Sequence, residues 1–302
     1  MKSLKSYIQE KLIIKKSNNN YKYFPKTKEE LKDIILKRIE AEGNKVDLND
    51  IDVSEITDMS NLFEGTDFNG DISSWDVSNA TDMSYMFYGC KSFNQDISNW
   101  DVSNVTCMNS MFLYCQALNQ DISTWDVSDV NDMSYMFGWC EDFNQDISGW
   151  DVSKVKNMEG MFYECSKFNK DISSWDVSNV TDMSYIFNGC EAFSQDISSW
   201  DVSGVTSMSY MFYECEKFNQ DISSWDVSGV NYMSYMFRYC KAFNQDISSW
   251  DVSNVTDMRY MFCCCESFNQ DISNWDVSGV KNMSYIFNGC SIEEKYKPKF
   301  SI

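Results

Sequence analysis

Aspartate, cysteine and tyrosine are the residues of this chain whose chemistry and spacing invite a functional reading. Asp96 and Asp101 could form a general acid–base pair, but the pair returns as Asp121 and Asp126, again as Asp146 and Asp151, and onward. A catalytic pair is a singular arrangement in a pocket. The chain also holds no histidine, which removes Ser-His-Asp and Cys-His nucleophile systems and every His-ligated metal site. The expectation is a protein that is not an enzyme. Stacked carboxylates repel one another unless something holds them. Two partners fit: backbone amides and Ser or Asn side chains at bends, or calcium, which takes oxygen ligands. The glycine-rich calcium nonapeptide of β-rolls is absent, and no other motif calls for a cofactor.

Nine cysteines, Cys90, Cys115, Cys140, Cys165, Cys190, Cys215, Cys240, Cys265 and Cys290, keep a strict 25-residue step. An odd number in a row cannot all pair, so a buried ladder of free thiols is expected, suited to a reducing compartment. Cys263 and Cys264, beside Cys265 and with Cys240 or Cys290 near, form a local cluster that a soft metal could use.

The same step governs the apolar residues. Trp75, Trp100, Trp125, Trp150, Trp175, Trp200, Trp225, Trp250 and Trp275 are each followed by Asp. A fixed period in the twenties marks a solenoid, whose turns are too small to bury their own apolar face and stack instead. Within one unit, Trp100 and Val102 alternate as in a short strand, while Met108, Met111, Phe112 and Cys115 follow helical spacing. The expected fold is an α/β repeat solenoid of about ten turns at ~4.8 Å each, roughly 50 Å long, with the tryptophans as its core ladder. The asparagine column, Asn69 to Asn269 with Ser194 as the exception, is expected to be a second ladder that satisfies backbone groups. The first unit is one residue short, writing FEGTDF where the next writes FYGCKSF.

A solenoid end exposes apolar surface and needs a cap. Thr27 with Glu30 forms a capping-box pattern, Leu31, Ile34, Ile35 and Ile39 make one apolar face, and Gly43 is placed to end the helix. The chain divides into a basic leader with helical spacing (1–26), a capping helix and first strand (27–50), the solenoid (51–290) and a polar C-terminal tail (291–302). The net charge is −21, and residues 51–302 carry 13 Lys/Arg against 38 Asp/Glu. Such a surface repels phosphate backbones, so no nucleic-acid partner is expected. No window is apolar enough to span a bilayer, and the start is a poor secretory signal.

The unit FNxDISxWDVSNVTxMxxMFxxC resembles the repeats of BspA-type leucine-rich-repeat surface proteins, a group also described as the Mycoplasma lipoprotein repeat domain of unknown function, over about residues 27–290. The resemblance implies a leucine-rich-repeat-like solenoid at the cell surface or secreted. It also implies adhesion or binding to other proteins, host surface or matrix proteins among them.

A binding face should vary between turns where the scaffold does not. Substitutions concentrate at Asn104/Asp129/Lys154/Gly204, at Tyr88/Leu113/Gly138/Asn188/Arg238 and at Lys91/Gln116/Glu141. Lys154, Lys156, Lys167 and Lys170 interrupt the acidic rod and are candidate partner contacts. So are Tyr85, Tyr135, Tyr185, Tyr210, Tyr235, Tyr260 and Tyr285, which lie about 200° round a helix from a buried methionine and should point partly outward. The leading expectation is a non-catalytic protein-binding scaffold. Its alternative is an assembly spacer docked through Met1 to Lys16, with Leu4, Ile8 and Leu12 as the edge.

Overall fold

A computed structural model describes residues 21–300. The leader residues Met1 to Lys16, with the docking edge expected there, lie outside them. Among the described residues regular structure is confined to one helix, α1 (Lys28–Glu42), and one 3-10 turn (Glu294–Tyr296). Between them, near-identical turns are joined by a file of single parallel bridges, from Asp58 with Asp82 through Cys107, Asp132 and onward to Asp257 with Asn282. The chain is a repeat solenoid.

The α/β content expected of each unit is not formed. No strand lies at Trp100–Val102, no first strand follows the cap, and no helix covers Met108–Cys115 among the described residues. The reason is spacing. Side-by-side helices need about 8–10 Å between axes, whereas tyrosine rings on successive turns stack at 4.3–4.9 Å. The Met108–Cys115 segment instead alternates two kinds of bond. The amides of Met108, Ser110, Phe112 and Tyr114 donate to the next turn, at Asp132, Ser134, Met136 and Gly138. Those of Met111, Leu113 and Cys115 close on the carbonyl three residues back. The alternation needs a left-handed residue twice per turn, supplied by Ser110 (φ 53°) and Tyr114 (φ 68°), by Tyr85 and Gly89 one turn earlier, and by Tyr185 and Gly189 later.

The opposite side of each turn is built from corners. Asp96 Oδ1 accepts from the amide of Ser98 at 3.0 Å and from its hydroxyl at 2.7 Å, and Asp101 does the same for Ser103 at 3.2 and 2.6 Å. Each corner is closed by a bond to the carbonyl three residues back, Trp100 to Ile97 and Val105 to Val102. Here side chains bridge the turns. Trp125 Nε1 donates to Ile97 O at 3.1 Å, Asn104 Nδ2 to Ser78 O at 2.8 Å, and the amide of Asn119 to Asn94 Oδ1 at 2.9 Å.

The two sides differ in spacing. Ring centroids on successive turns are 4.3–4.9 Å apart in the tyrosine file, 5.5–5.9 Å in the file of Phe87, Phe112 and Phe137 and 6.5 Å in the tryptophan file. The rod therefore bends toward the Met–Tyr side. Its core is continuous: the tryptophan, isoleucine, valine, methionine, phenylalanine and cysteine columns are buried from turn to turn.

Helix α1 closes the N-terminal end. The amide of Glu30 donates to Thr27 Oγ1, that of Lys26 donates to Glu30 Oε2, and that of Gly43 closes on Ile39 O. Leu31 and Ile35 are buried, and Ile34 and Ile39 pack partly against the core. Arg38 holds both Glu42 and Asp50, tying the helix to the first turn. Where the short first unit lacks a cysteine, Thr66 Oγ1 lies 3.7 Å from Cys90 Sγ.

Candidate partner-binding face

Buried side-chain ladders hold residue type nearly constant on the tryptophan side outside the exposed Asn104 slot, and the tetrapeptide Trp-Asp-Val-Ser recurs in all nine full turns. On the Met–Tyr side the bonds between turns run backbone to backbone, so outward side chains are free to vary. Residues 84–89 read SYMFYG where 109–114 read NSMFLY, 159–164 read EGMFYE and 259–264 read RYMFCC. This is the face where turns acquire individual chemistry.

Aromatic rings fill much of it. Tyr185, Tyr210, Tyr235, Tyr260 and Tyr285 stack nearly parallel, with successive centroids at 4.6, 4.3, 4.8 and 4.9 Å. Tyr85 and Tyr135 stand outside this stack, because Ser110 and Gly160 occupy the slot in the intervening turns and Tyr135 leans into the space above Gly160. Two further slots continue the file. Tyr85 meets Tyr88, then Tyr114, Trp139, Tyr163 and Tyr185, each centroid within 6.2 Å of the next. Tyr135 joins sideways through Tyr163 at 6.2 Å and bonds Glu159 through its hydroxyl. Ten aromatic side chains thus form one continuous file over nine turns. The tyrosines face outward through their left-handed backbone rather than through a helix, and Tyr85 and Tyr285 are exposed, the latter by 62%. Burial and neighbouring phenols push Tyr210 up to about 12, so its hydroxyl stays protonated at neutral pH.

The four lysines are placed differently. Lys154 and Lys156 sit at the bend before the bridge file and Lys167 and Lys170 at the bend after the cysteine ladder. Lys154 closes on Asp129 and Lys167 on Asp142, both from the preceding turn. Two of the four charges are therefore locally matched, and the four do not form one basic patch. Arg238 is the residue that the sequence only marked as variable. Its guanidinium lies 5.8, 5.5, 4.8 and 5.0 Å from the ring centres of Tyr213, Tyr235, Tyr239 and Tyr260. The available signal was its type, since the chain has only three arginines. Trp139 was equally legible as the tenth tryptophan, out of register with the other nine; its Nε1 is buried with no partner.

The remaining columns are structural. Hydrogen bonds from Ser98 hold Asp96 below the usual carboxylate range, and Ser173 and Ser198 do so for Asp171 and Asp196. Each ladder cysteine donates to a phenylalanine carbonyl of the preceding turn, as Cys115 does to Phe87 O at 3.1 Å. All twelve cysteines are free thiols, and burial pushes Cys90 up to about 11. Cys263 and Cys264 bring their sulfurs to 3.6 Å, while Cys240 and Cys265 stay in the ladder. Among the described residues no three acidic or thiol side chains converge in an arrangement that could hold a metal ion.

These features define a parallel-stacked repeat solenoid with one side-chain-laddered face and one variable aromatic face. The family described as "Mycoplasma protein of unknown function, DUF285" matches residues 33–148, 98–200, 134–236 and 181–298, and the chain belongs to that family. Among solved structures it is similar to the functional domain of InlJ from Listeria monocytogenes, described as including a cysteine ladder. The identity is 12%, the TM-score 0.25, and the similarity covers 80% of this chain. The chain spans 60% of the length of that structure. No curated protein matches it. Among the described residues no helix is long and apolar enough to cross a membrane.

Proposed function

We propose that this chain is a non-catalytic scaffold that binds another protein through the Met–Tyr face. The observation that carries the reading is the ten-membered aromatic file on the one side of the rod whose side chains are not needed to join the turns. Tyrosine, tryptophan and arginine are the side chains enriched in the centres of protein interfaces. A file that follows the inner side of the bend offers an extended partner many modest contacts rather than one deep pocket. The resemblance of the repeat to BspA-type leucine-rich-repeat surface proteins supports a leucine-rich-repeat-like relationship, a place at the cell surface and a role in adhesion to a host surface or matrix protein.

The test is capture from host-cell surface and matrix extracts by the full-length protein. It is run beside Tyr185→Ser/Tyr235→Ser, which uses the residue that Ser110 already places in this slot. Specific capture by the wild type and its loss in the variant is the expected result. Capture that survives the tyrosine changes and is lost with Lys154, Lys156, Lys167 and Lys170 neutralised would move the contact to the bends. Capture of nothing from host extracts, with capture from the producer's own lysate that requires residues 1–16, would favour the assembly spacer.

A further inference from the structure

We infer that Arg238 is the anchor for a carboxylate, so that the aromatic file receives an acidic segment of its protein partner although the rod itself is acidic. The inference rests on the proposed binding role of this face and names the chemistry of what it takes. Of the 25 basic residues only three are arginine. Arg38 is consumed in the clasp of α1 to the first turn. The other two stand together on the tyrosine file, with Arg238 5.5 Å and Arg259 6.0 Å from the ring of Tyr235.

Arg238 is the unmatched cation of the pair. Arg259 closes on Asp257 at 3.2 Å, whereas Arg238 makes no ion pair among the described residues. Two carboxylates of these turns are engaged by other cations, Glu216 by Lys241 and Asp257 by Arg259. One terminal nitrogen of Arg238 donates to Tyr239 Oη at 3.2 Å, and its Nε is buried with no partner. Rings within about 6 Å attract a guanidinium and hold its plane, but their faces offer no lone pair for the remaining N–H donors. A carboxylate does, in a bidentate geometry that matches the fork. The slot itself imposes no such residue, because other turns place Tyr88, Leu113, Gly138 and Asn188 there. Arginine at this one turn is therefore a local choice, made where the tyrosine stack is longest.

A displayed random-peptide library selected on the full-length protein tests this, with Arg238→Asn and Arg238→Lys in parallel. Asparagine already fills the equivalent slot at Asn188, so the first variant keeps the fold, checked by near-ultraviolet circular dichroism. The expected outcome is enrichment of Asp and Glu among peptides bound by the wild type. Affinity for a selected acidic peptide should fall by about tenfold to a hundredfold in Arg238→Asn, with a smaller fall in Arg238→Lys, which keeps the charge but not the fork. Peptides selected without acidic enrichment, or bound equally by Arg238→Asn, overturn the carboxylate anchor and leave the binding face standing. No peptide selected above background overturns both.

Discussion

The two long sides of this rod solve the same problem, joining one turn to the next, with different atoms. On the tryptophan side the turns stand apart and are joined by indole, amide and hydroxyl groups reaching across. On the Met–Tyr side they are close enough for backbone amides to reach backbone carbonyls directly. Where the buried indoles and the Asn94 column make the joints, residue identity recurs almost without change, while the exposed Asn104 slot, which bridges turns only where it holds asparagine, varies. Where the backbone makes them, the outward sequence is released, and aromatic and charged residues that the hydrogen bonds between turns do not require can be placed on the surface. The solenoid thereby separates specification of the fold from specification of surface chemistry within a single 25-residue turn.

Changes that weaken the side-chain joints should break this division most severely. Trp150→Phe keeps most of the buried ring but loses the 3.1 Å bond from Nε1 to Ile122 O. Ile122 O keeps the amide of Trp125, so the lost joint between turns and the smaller ring together should cost about 2 kcal/mol in urea unfolding. Next in size is Asn169→Ala. Asn169 Oδ1 accepts from the amide of Ser194 and from Gln195 Nε2, both at 2.9 Å, and its loss at this half-buried site should cost about 1–2 kcal/mol.

Acid should act on the same side. Hydrogen bonds from the serine two residues on hold Asp96, Asp171, Asp196 and Asp246 below their ordinary value. A carboxylate depressed in the folded state contributes stability that is complete above its unfolded pKa, about 4, and is lost as the pH falls through the folded value. The melting temperature should therefore drop steeply below about pH 4. Glu164 on the other side works in the opposite direction. Burial, then the charges of Glu214, Glu191 and Glu141, push it up, so its protonation on mild acidification favours the folded rod. The smallest effect is a gain. Asn179 Nδ2 reaches Ser153 O at 2.8 Å, and Gly204 in the next turn has no such arm, so Gly204→Asn should stabilise by about 0.5–1 kcal/mol.

Much of this was legible in the letters. The strict step of Trp75 to Trp275 carries the stacking, and Thr27, Glu30 and Gly43 bound α1 in the sequence as they do in the structure. The path of the chain through Met108 to Cys115 was not legible. Apolar residues at helical spacing also suit a segment that alternates short turns with bonds to its neighbour, and the left-handed positions are filled mostly by tyrosine and other bulky residues. The signal lay across the units: Gly160 takes the tyrosine slot once, and Gly65, Gly89, Gly189 and Gly289 take the second left-handed position, that of Tyr114, as residues needing a positive φ would. The environment of Arg238 could not be read along the chain, because its four rings come from three different turns. The lysines drew attention by their sign alone, and Asp129 and Asp142, one period earlier, already answer two of them.

The most direct test of the division is a pair of single changes within one turn, Trp200→Ala and Tyr210→Ser, compared by urea unfolding. Trp200 is 3% exposed and donates to Ile172 O, whereas Tyr210 stacks on Tyr185 and Tyr235 at the surface. The tryptophan change should cost about 3–5 kcal/mol and the tyrosine change about 1–2 kcal/mol, the worth of its two ring pairs. Equal losses would contradict the account, since the tyrosine file would then hold the rod together as the tryptophan file does.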